Sequence, residues 1–147
     1  MINANTYHVG IFEYDVIFKK DIFELEEYLD ENTFVGFAPR EVKNDAMYLD
    51  WLPKFCQLLE PDQLNKAKSV PLWSATTNII MPDWFLFAFS TWYINLVPMI
   101  IDMPGHSHYH ERAVNIFAAN CGMKYIFKAK YLEHKGLMSH GVDFVQL

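Results

Sequence analysis

Hydrophobic and polar positions change their spacing several times along this chain, and each change marks an expected element. Residues 7–18 are rich in β-branched and aromatic types, which predicts a first strand. Asp21 then precedes apolar residues at helical spacing, which predicts a short helix that extends from its N-cap at Asp21 to about Leu29. The apolar group Phe34–Phe37 predicts a second strand.

The middle of the chain combines a helical pattern with a polar connection. A second helix is expected from Asn44 or Asp45 to about Leu59, because apolar residues recur there at helical spacing. Residues 61–68 form the most polar stretch of the chain, which predicts an exposed loop or linker. Residues 70–81 are expected to form a further strand.

A long apolar stretch, Ile79–Ile101, comes close to the length of a membrane span. Asp83 and two prolines interrupt it, so a buried helix over 84–94 followed by a buried strand over 96–101 explains the same pattern. The helix is apolar on every side, which predicts a place deep in the core or beneath a partner. Membrane insertion is therefore not expected.

The last third of the chain predicts a strand, a helix and two further strands in succession. The helix begins near Ser107 and ends at Gly122, which suits the left-handed position after a helix. Residues 123–131 alternate in polarity, and Val142–Val145 supply a closing strand. The expected fold is α/β or α+β, one domain over 1–147, with helices on both faces of a central mixed sheet.

Composition supports one folded domain and limits its partners. The 147 residues are 52% hydrophobic and 16% aromatic, which suits a single core better than a disordered tail. A net charge of −6 offers no general attraction for phosphates, so nucleic acid is not an expected partner. Two cysteines far apart give no disulfide framework, which favours a reducing compartment and hence the cytoplasm. For a viral protein, the expected location is the host cytoplasm or the virion.

Two segments near the end of the chain resemble the GNAT family of acyl-CoA N-acyltransferases. His110–Met123 is similar to the family's helix that ends in a Gly-Phe-like pair, and Lys135-Gly136 with Gly141–Phe144 looks like its closing hairpin. The resemblance covers about the last 65 residues and is nearest to shortened, phage-type members. It implies a C-terminal helix followed by a β-hairpin, an acetyl-CoA cofactor and N-acetyltransferase activity.

The resemblance also implies where a cofactor site would lie and how it departs from the family. The family's Gly-rich pyrophosphate loop is missing, and Pro82-Asp83 stands in its place. Proline removes an N–H donor and a carboxylate repels phosphate, so the acyl-CoA site is expected to be weak or lost. The expected cleft lies between strands near Ile79 and Leu96. The candidate cofactor-binding residues are Asn78, Ile80 and Met81.

The cluster from His106 to Glu111 holds the remaining candidate chemistry. His110 and Glu111 are the candidate catalytic residues, since an imidazole-bound water or a carboxylate could deprotonate a substrate amine. Imidazole groups also bind zinc, iron or manganese, which makes His106, His108 and His110 the candidate metal ligands. A polar loop that leads into a helix explains the same residues, and no metal is expected.

The aromatic residues around 84–94 suggest a different class of function. Aromatic side chains dominate protein interfaces as well as cores. A virion-structural or protein-interaction domain, or a homo-oligomer that uses this region as its contact surface, is therefore the alternative to a GNAT-like acetyltransferase. A small metal-binding protein built on the three histidines is the further alternative.

Overall fold

The computed structural model describes residues 6–46, 48–50, 61–103 and 108–135, and within them the chain has a mixed α+β fold. The strands are β1 (His8–Ile11), β2 (Val16–Phe18), β3 (Thr33–Gly36), β4 (Pro39–Glu41), β5 (Leu72–Ser74), β6 (Ile79–Pro82), β7 (Lys124–Phe127) and β8 (Leu132–His134). The α-helices are α1 (Pro61–Ser69), α2 (Asp83–Tyr93), α3 (Val97–Ile100) and α4 (Tyr109–Asn120). Short 3-10 helices cover Ile22–Tyr28, Val42–Asn44 and Ala129–Tyr131.

In the part of the chain that the structure describes, the largest sheet has four strands in the order β1-β6-β3-β7. β6 is antiparallel to both of its neighbours, whereas β3 and β7 are parallel. β2 pairs with β8 and β4 pairs with β5, both antiparallel. The mixed sheet and the α+β class are therefore confirmed. β7 and β8 follow α4, and each pairs with an earlier strand; the second strand of the predicted closing hairpin, Val142–Val145, lies outside the described residues.

Successive residues of the four-stranded sheet pack into different hydrophobic clusters, as the two-residue period of a strand requires. Phe34 of β3 packs with Phe85 of α2 and Val114 of α4 on one face. Its neighbour Val35 packs on the other face with Leu25 of the first 3-10 helix. Helical segments thus cover both faces, as predicted, although the second face is covered by a 3-10 helix.

Buried hydrogen bonds fix α4 against β5. Asn115 is buried and accepts a hydrogen bond from Ser74 N at 2.9 Å, while its amide donates to Ser74 O at 3.0 Å. The same amide donates to Glu111 O at 2.7 Å. Since β5 already pairs with β4 along its other side, this single side chain replaces the missing strand partner of Ser74.

The prediction of a loop at 61–68 is wrong, because these residues form α1. Proline suits the first helical position, Asp62 lies in the first turn, and Lys66 and Lys68 lie in the last turn, where their charges complement the helix dipole. Within α1 only Ala67 is fully buried, with Leu64 packed beside it. A helix that presents so narrow an apolar face looks like a polar loop in sequence.

The prediction of a strand at 96–101 is also wrong. Val97–Ile100 form the short helix α3, and Leu96 and Ile100 are buried while the residues between them are exposed. A spacing of four residues on the buried side is helical. The expected cleft between strands near Ile79 and Leu96 therefore lacks its second strand.

Two further segments form two strands each instead of one. The expected strand over 7–18 turns at Tyr14-Asp15 and continues as β2. The expected strand over 70–81 is interrupted after β5 by a bend at 75–77, where Thr76 Oγ1 accepts hydrogen bonds from the backbone and side chain of Asn78. Short polar side chains that bind nearby backbone favour such turns over extended strand.

Several local predictions are confirmed. Asp21 accepts a hydrogen bond from Phe23 N at the start of the first 3-10 helix, and Gly122 has φ of +68° after α4. The apolar helix over 84–94 exists as α2, but its burial is uneven: Phe85 is fully buried, whereas Phe87 is largely exposed.

Other predictions fall on residues that the structure does not describe. These are the later part of the helix expected up to Leu59, the start of the final predicted helix near Ser107, and the closing strand expected at Val142–Val145. Of the helices in the described ranges, none combines the length and the apolar character that crossing a bilayer requires.

Candidate carboxylate–imidazole site

Glu13, Asp15 and His134 come together although they lie at opposite ends of the chain. Glu13 and Asp15 belong to the connection between β1 and β2, and His134 is in β8. The antiparallel pairing of β2 with β8 places His134 opposite Val16, directly beside that connection. One ligand atom from each of the three side chains lies within 4.8 Å of the other two.

Both carboxylates face the same nitrogen of the imidazole. His134 Nε2 contacts Glu13 Oε2 directly and lies 3.5 Å from Asp15 Oδ1. The exposed fraction of the side chain is 16% for His134, 27% for Glu13 and 25% for Asp15. An imidazole nitrogen carries one proton at most, so the two carboxylate oxygens converge on a single donor position.

Glu13 is held in place by a second layer of hydrogen bonds from the bend before β6. Thr77 Oγ1 donates to Glu13 Oε1 at 2.7 Å, and Asn78 Nδ2 approaches Glu13 Oε2 at 3.4 Å. Asn78 Oδ1 also accepts from Glu13 N at 2.8 Å. Because Ile11 and Ile79 are register partners, the pairing of β1 with β6 brings these groups together.

Opposing influences act on the pKa of Glu13. Partial burial acts to raise it, but hydrogen bonds from Thr77 and His134, together with the charge of His134, outweigh burial and lower the pKa below its ordinary value. Glu13 is therefore a carboxylate near neutral pH, and its two oxygens are acceptors for a cation or for donors.

A second acidic group, Glu111, lies on α4 in a more buried place. The pKa of Glu111 is raised to about 7, chiefly by burial; Arg112 opposes this rise, and the negative charges of Glu13 and Asp45 add to it. Arg112 Nη1 lies 3.3 Å from Glu111 Oε2. Glu111 is one of the residues that the sequence analysis singled out, and it is a carboxyl group that changes its charge near neutral pH.

The other sequence-predicted residues are spread over several places. His110 is half-buried on α4, and His108 is exposed at the residue before that helix. His106 lies outside the described residues, so the three histidines are not described as one group.

The three candidate cofactor residues lie in or beside β6. Asn78 is buried, and its Oδ1 accepts a hydrogen bond from Glu13 N. The side chains of Ile80 and Met81 are buried in different hydrophobic clusters on the sheet. Ile80 has Gly10 as register partner on one side and Val35 on the other.

No pattern in the sequence links Glu13, Asp15 and His134. A Glu-x-Asp pair at positions 13 and 15 is common in turns, and His134 is one of six histidines. Only the pairing of β2 with β8 joins them, and local periodicity carries no signal for a contact over that distance.

The fold and the site define a mixed α+β protein with a partly exposed carboxylate–imidazole cluster. Comparison of the chain with protein-family models, with curated proteins and with solved structures finds no match in any of the three. The geometry of the side chains is therefore what carries the functional inference.

Proposed function

We propose that this protein binds a divalent transition-metal ion through Glu13, Asp15 and His134. The observation that carries the proposal is the convergence of two carboxylate oxygens and one imidazole nitrogen within 4.8 Å of one another. Imidazole and carboxylate together suit zinc, iron(II) and manganese. Among the described residues, no other group of three histidine, cysteine or acidic side chains meets in this way.

The distances and charges suit such an ion. Bonds of about 2.0–2.2 Å to nitrogen and oxygen require ligand atoms roughly 3–4 Å apart. The 3.5 Å from His134 Nε2 to Asp15 Oδ1 already suits this, whereas the direct contact between His134 Nε2 and Glu13 Oε2 would open to admit the ion. The ion would replace the proton on His134 Nε2, and its two positive charges would balance the two carboxylates. Thr77 and Asn78 would act as the outer donors that orient a ligand carboxylate.

Partial exposure leaves room for an outside ligand. Three protein groups do not fill the coordination shell of a zinc or manganese ion, and the side chains reach solvent. When bound, such an ion could polarise an oxygen-containing substrate or lower the pKa of a water molecule. Binding is the proposed function, and any reaction at the ion would depend on it.

Calorimetric titration with Mn²⁺ and with Zn²⁺ tests the proposal. Asp15→Asn is the sharpest variant, because it keeps the side-chain volume and the backbone bond from Lys135 N to Asp15 O. We expect Asp15→Asn and His134→Gln each to weaken binding at least tenfold. His8→Gln is the matched control, since His8 is bonded to Asp30 O away from the cluster.

Two results would overturn the metal proposal. One is a wild-type protein that takes up neither ion at millimolar concentration. The other is binding that survives unchanged in both Asp15→Asn and His134→Gln, since the ion would then lie elsewhere. Far-ultraviolet circular dichroism of each variant establishes that a loss of binding is not a loss of fold.

The acyltransferase activity implied by the resemblance to the GNAT family stays a prediction, as does a cytoplasmic location. Its test is separate from that of the metal. Acetyl-CoA should raise the melting temperature if it binds the native state. No shift at millimolar acetyl-CoA would end the case for an acyl-CoA enzyme and would leave the metal proposal untouched.

A further inference from the structure

The outer surface of α2 and α3 exposes large apolar side chains in a row. Trp84, Phe87 and Ile94 follow one another at spacings of three and seven residues, which places them on one side of α2. Phe87 is 77% exposed and Ile94 is 68% exposed. Val97, Met99 and Ile101 are further exposed apolar residues along and just beyond α3, which follows α2 after three residues. We call these six residues the α2–α3 patch.

The α2–α3 patch lies in the longest run of the chain without a charged residue. No lysine, arginine, aspartate or glutamate occurs between Asp83 and Asp102. Elsewhere the chain is strongly acidic, with a net charge of −6. Two copies of such a chain carry net charges of the same sign and repel one another on average, and this run contributes no charged side chain to a contact between them.

We propose that the α2–α3 patch is the interface of a symmetric homodimer. A two-fold interface uses the same surface on both copies, and an uncharged apolar surface is complementary to itself. The depletion of charge and the presence of aromatic side chains are what distinguish the centre of a protein interface from ordinary surface.

The size of the patch suits such an interface. A large apolar side chain presents about 150–250 Å² when free, so the exposed fractions of the six residues sum to roughly 600 Å². That is the upper end of the ~300–600 Å² that the largest apolar patch of a monomer usually covers. With the uncharged neighbours Ser90, Thr91 and Asn95, it approaches the ~800 Å² per partner of a standard interface.

The charges at the two ends of the run argue against a membrane as the occupant. A helix that lies on a lipid surface carries lysine or arginine beside its apolar face to meet anionic head groups. Here the run is bounded by Asp83 and Asp102 and holds no basic residue. A second copy of the chain fits the surface better than a bilayer does.

Sedimentation velocity over a range of concentrations tests the proposal on the full chain without added metal. We expect the wild-type protein to reach about twice the 17.3 kDa of one chain. Phe87→Glu should raise the dimer dissociation constant at least tenfold, because a two-fold interface receives the new charge twice. Ile94→Glu should do the same from about two turns further along.

Phe23→Glu is the matched control for Phe87→Glu. Phe23 is the same residue type with nearly the same exposure, 81%, and it lies on the first 3-10 helix rather than on the patch. It should leave the dimer intact. A wild-type monomer at high micromolar concentration would overturn the proposal, as would a dimer equally stable in the Phe87 and Ile94 variants. Binding of the monomer to neutral or anionic phospholipid vesicles would assign the patch to a membrane instead.

Discussion

Asp45 and Arg112 lie 67 positions apart and form a buried ion pair, with Arg112 Nη2 3.2 Å from Asp45 Oδ2. Their side chains are 2% and 8% exposed. Asp45 Oδ1 also accepts from Tyr48 N at 2.6 Å, so the same carboxylate caps the helical residues that follow it. The Arg112 guanidinium lies 4.8 Å from the centre of the Trp73 ring. One acidic side chain thus joins a helix start to α4.

We expect Asp45→Asn to destabilise the fold by about 3 kcal/mol, because it leaves the buried Arg112 charge without its main partner. Asparagine keeps an oxygen for the cap, so the variant isolates the loss of charge. Urea denaturation measures the change in the free energy of unfolding. Glu41→Gln is the control, since the exposed pair of Glu41 with Lys43 should contribute less than about 1 kcal/mol. Equal effects of the two substitutions would contradict the central role of Asp45.

Local chemistry made part of the fold predictable. Asp21 and Gly122 work through contacts or angles within a few residues, and the structure confirms both. The helix α2 was predictable because its apolar run is too long for a typical strand. In each case the signal and the structure that it specifies occupy the same short segment.

Predictions failed where tertiary contacts decide the outcome. In α1 the buried side consists of little more than Ala67, so the apolar residues of this segment show no helical spacing in the sequence. At α3 an apolar run of strand length is helical, since Leu96 and Ile100 together enter the same core. The Glu13–His134 contact spans 121 positions and depends on strand pairing that no local pattern encodes. The candidate site could therefore not be assembled from the sequence, although Glu111 could be named.

Glu111 should make stability depend on pH in a defined window. Its pKa is about 7 in the folded protein, chiefly because of burial, against 4.5 as the ordinary value. Well below pH 4.5 the carboxyl is protonated in both the folded and the unfolded protein, so it does not change the free energy of unfolding. As pH rises towards 7 the unfolded chain releases the proton first, so the free energy of unfolding falls and then levels off. The loss is on the order of 3 kcal/mol, since each pKa unit corresponds to about 1.4 kcal/mol.

Glu111→Gln should remove this loss, because glutamine does not titrate and keeps an oxygen near Arg112. We expect the variant to gain stability relative to wild type as pH rises from 4.5 to 7, measured by urea denaturation at a series of pH values. Glu26→Gln, an exposed change on the first 3-10 helix, serves as control. Parallel pH profiles for Glu111→Gln and wild type would show that Glu111 ionises normally in the folded protein.

An added methyl group should destabilise this fold for different reasons at Gly122 and at Gly36. At Gly122 a Cβ would meet no atom within 4 Å, but φ is +68°, so Gly122→Ala should cost about 1 kcal/mol through backbone strain alone. At Gly36, in β3, a Cβ would lie 2.8 Å from Ser74 Cβ and 3.0 Å from the Phe127 ring.

Gly36→Ala must therefore push β3 away from its neighbours, and overpacking of that kind costs roughly 1–3 kcal/mol. The two variants should also respond differently to a second change. Ser74→Gly removes both Ser74 atoms that crowd the new methyl group, so it should recover part of the loss in Gly36→Ala and none of the loss in Gly122→Ala. Free energies of unfolding for the single and double variants measure this difference. Equal recovery in both backgrounds would mean that crowding against Ser74 is not what requires glycine at position 36.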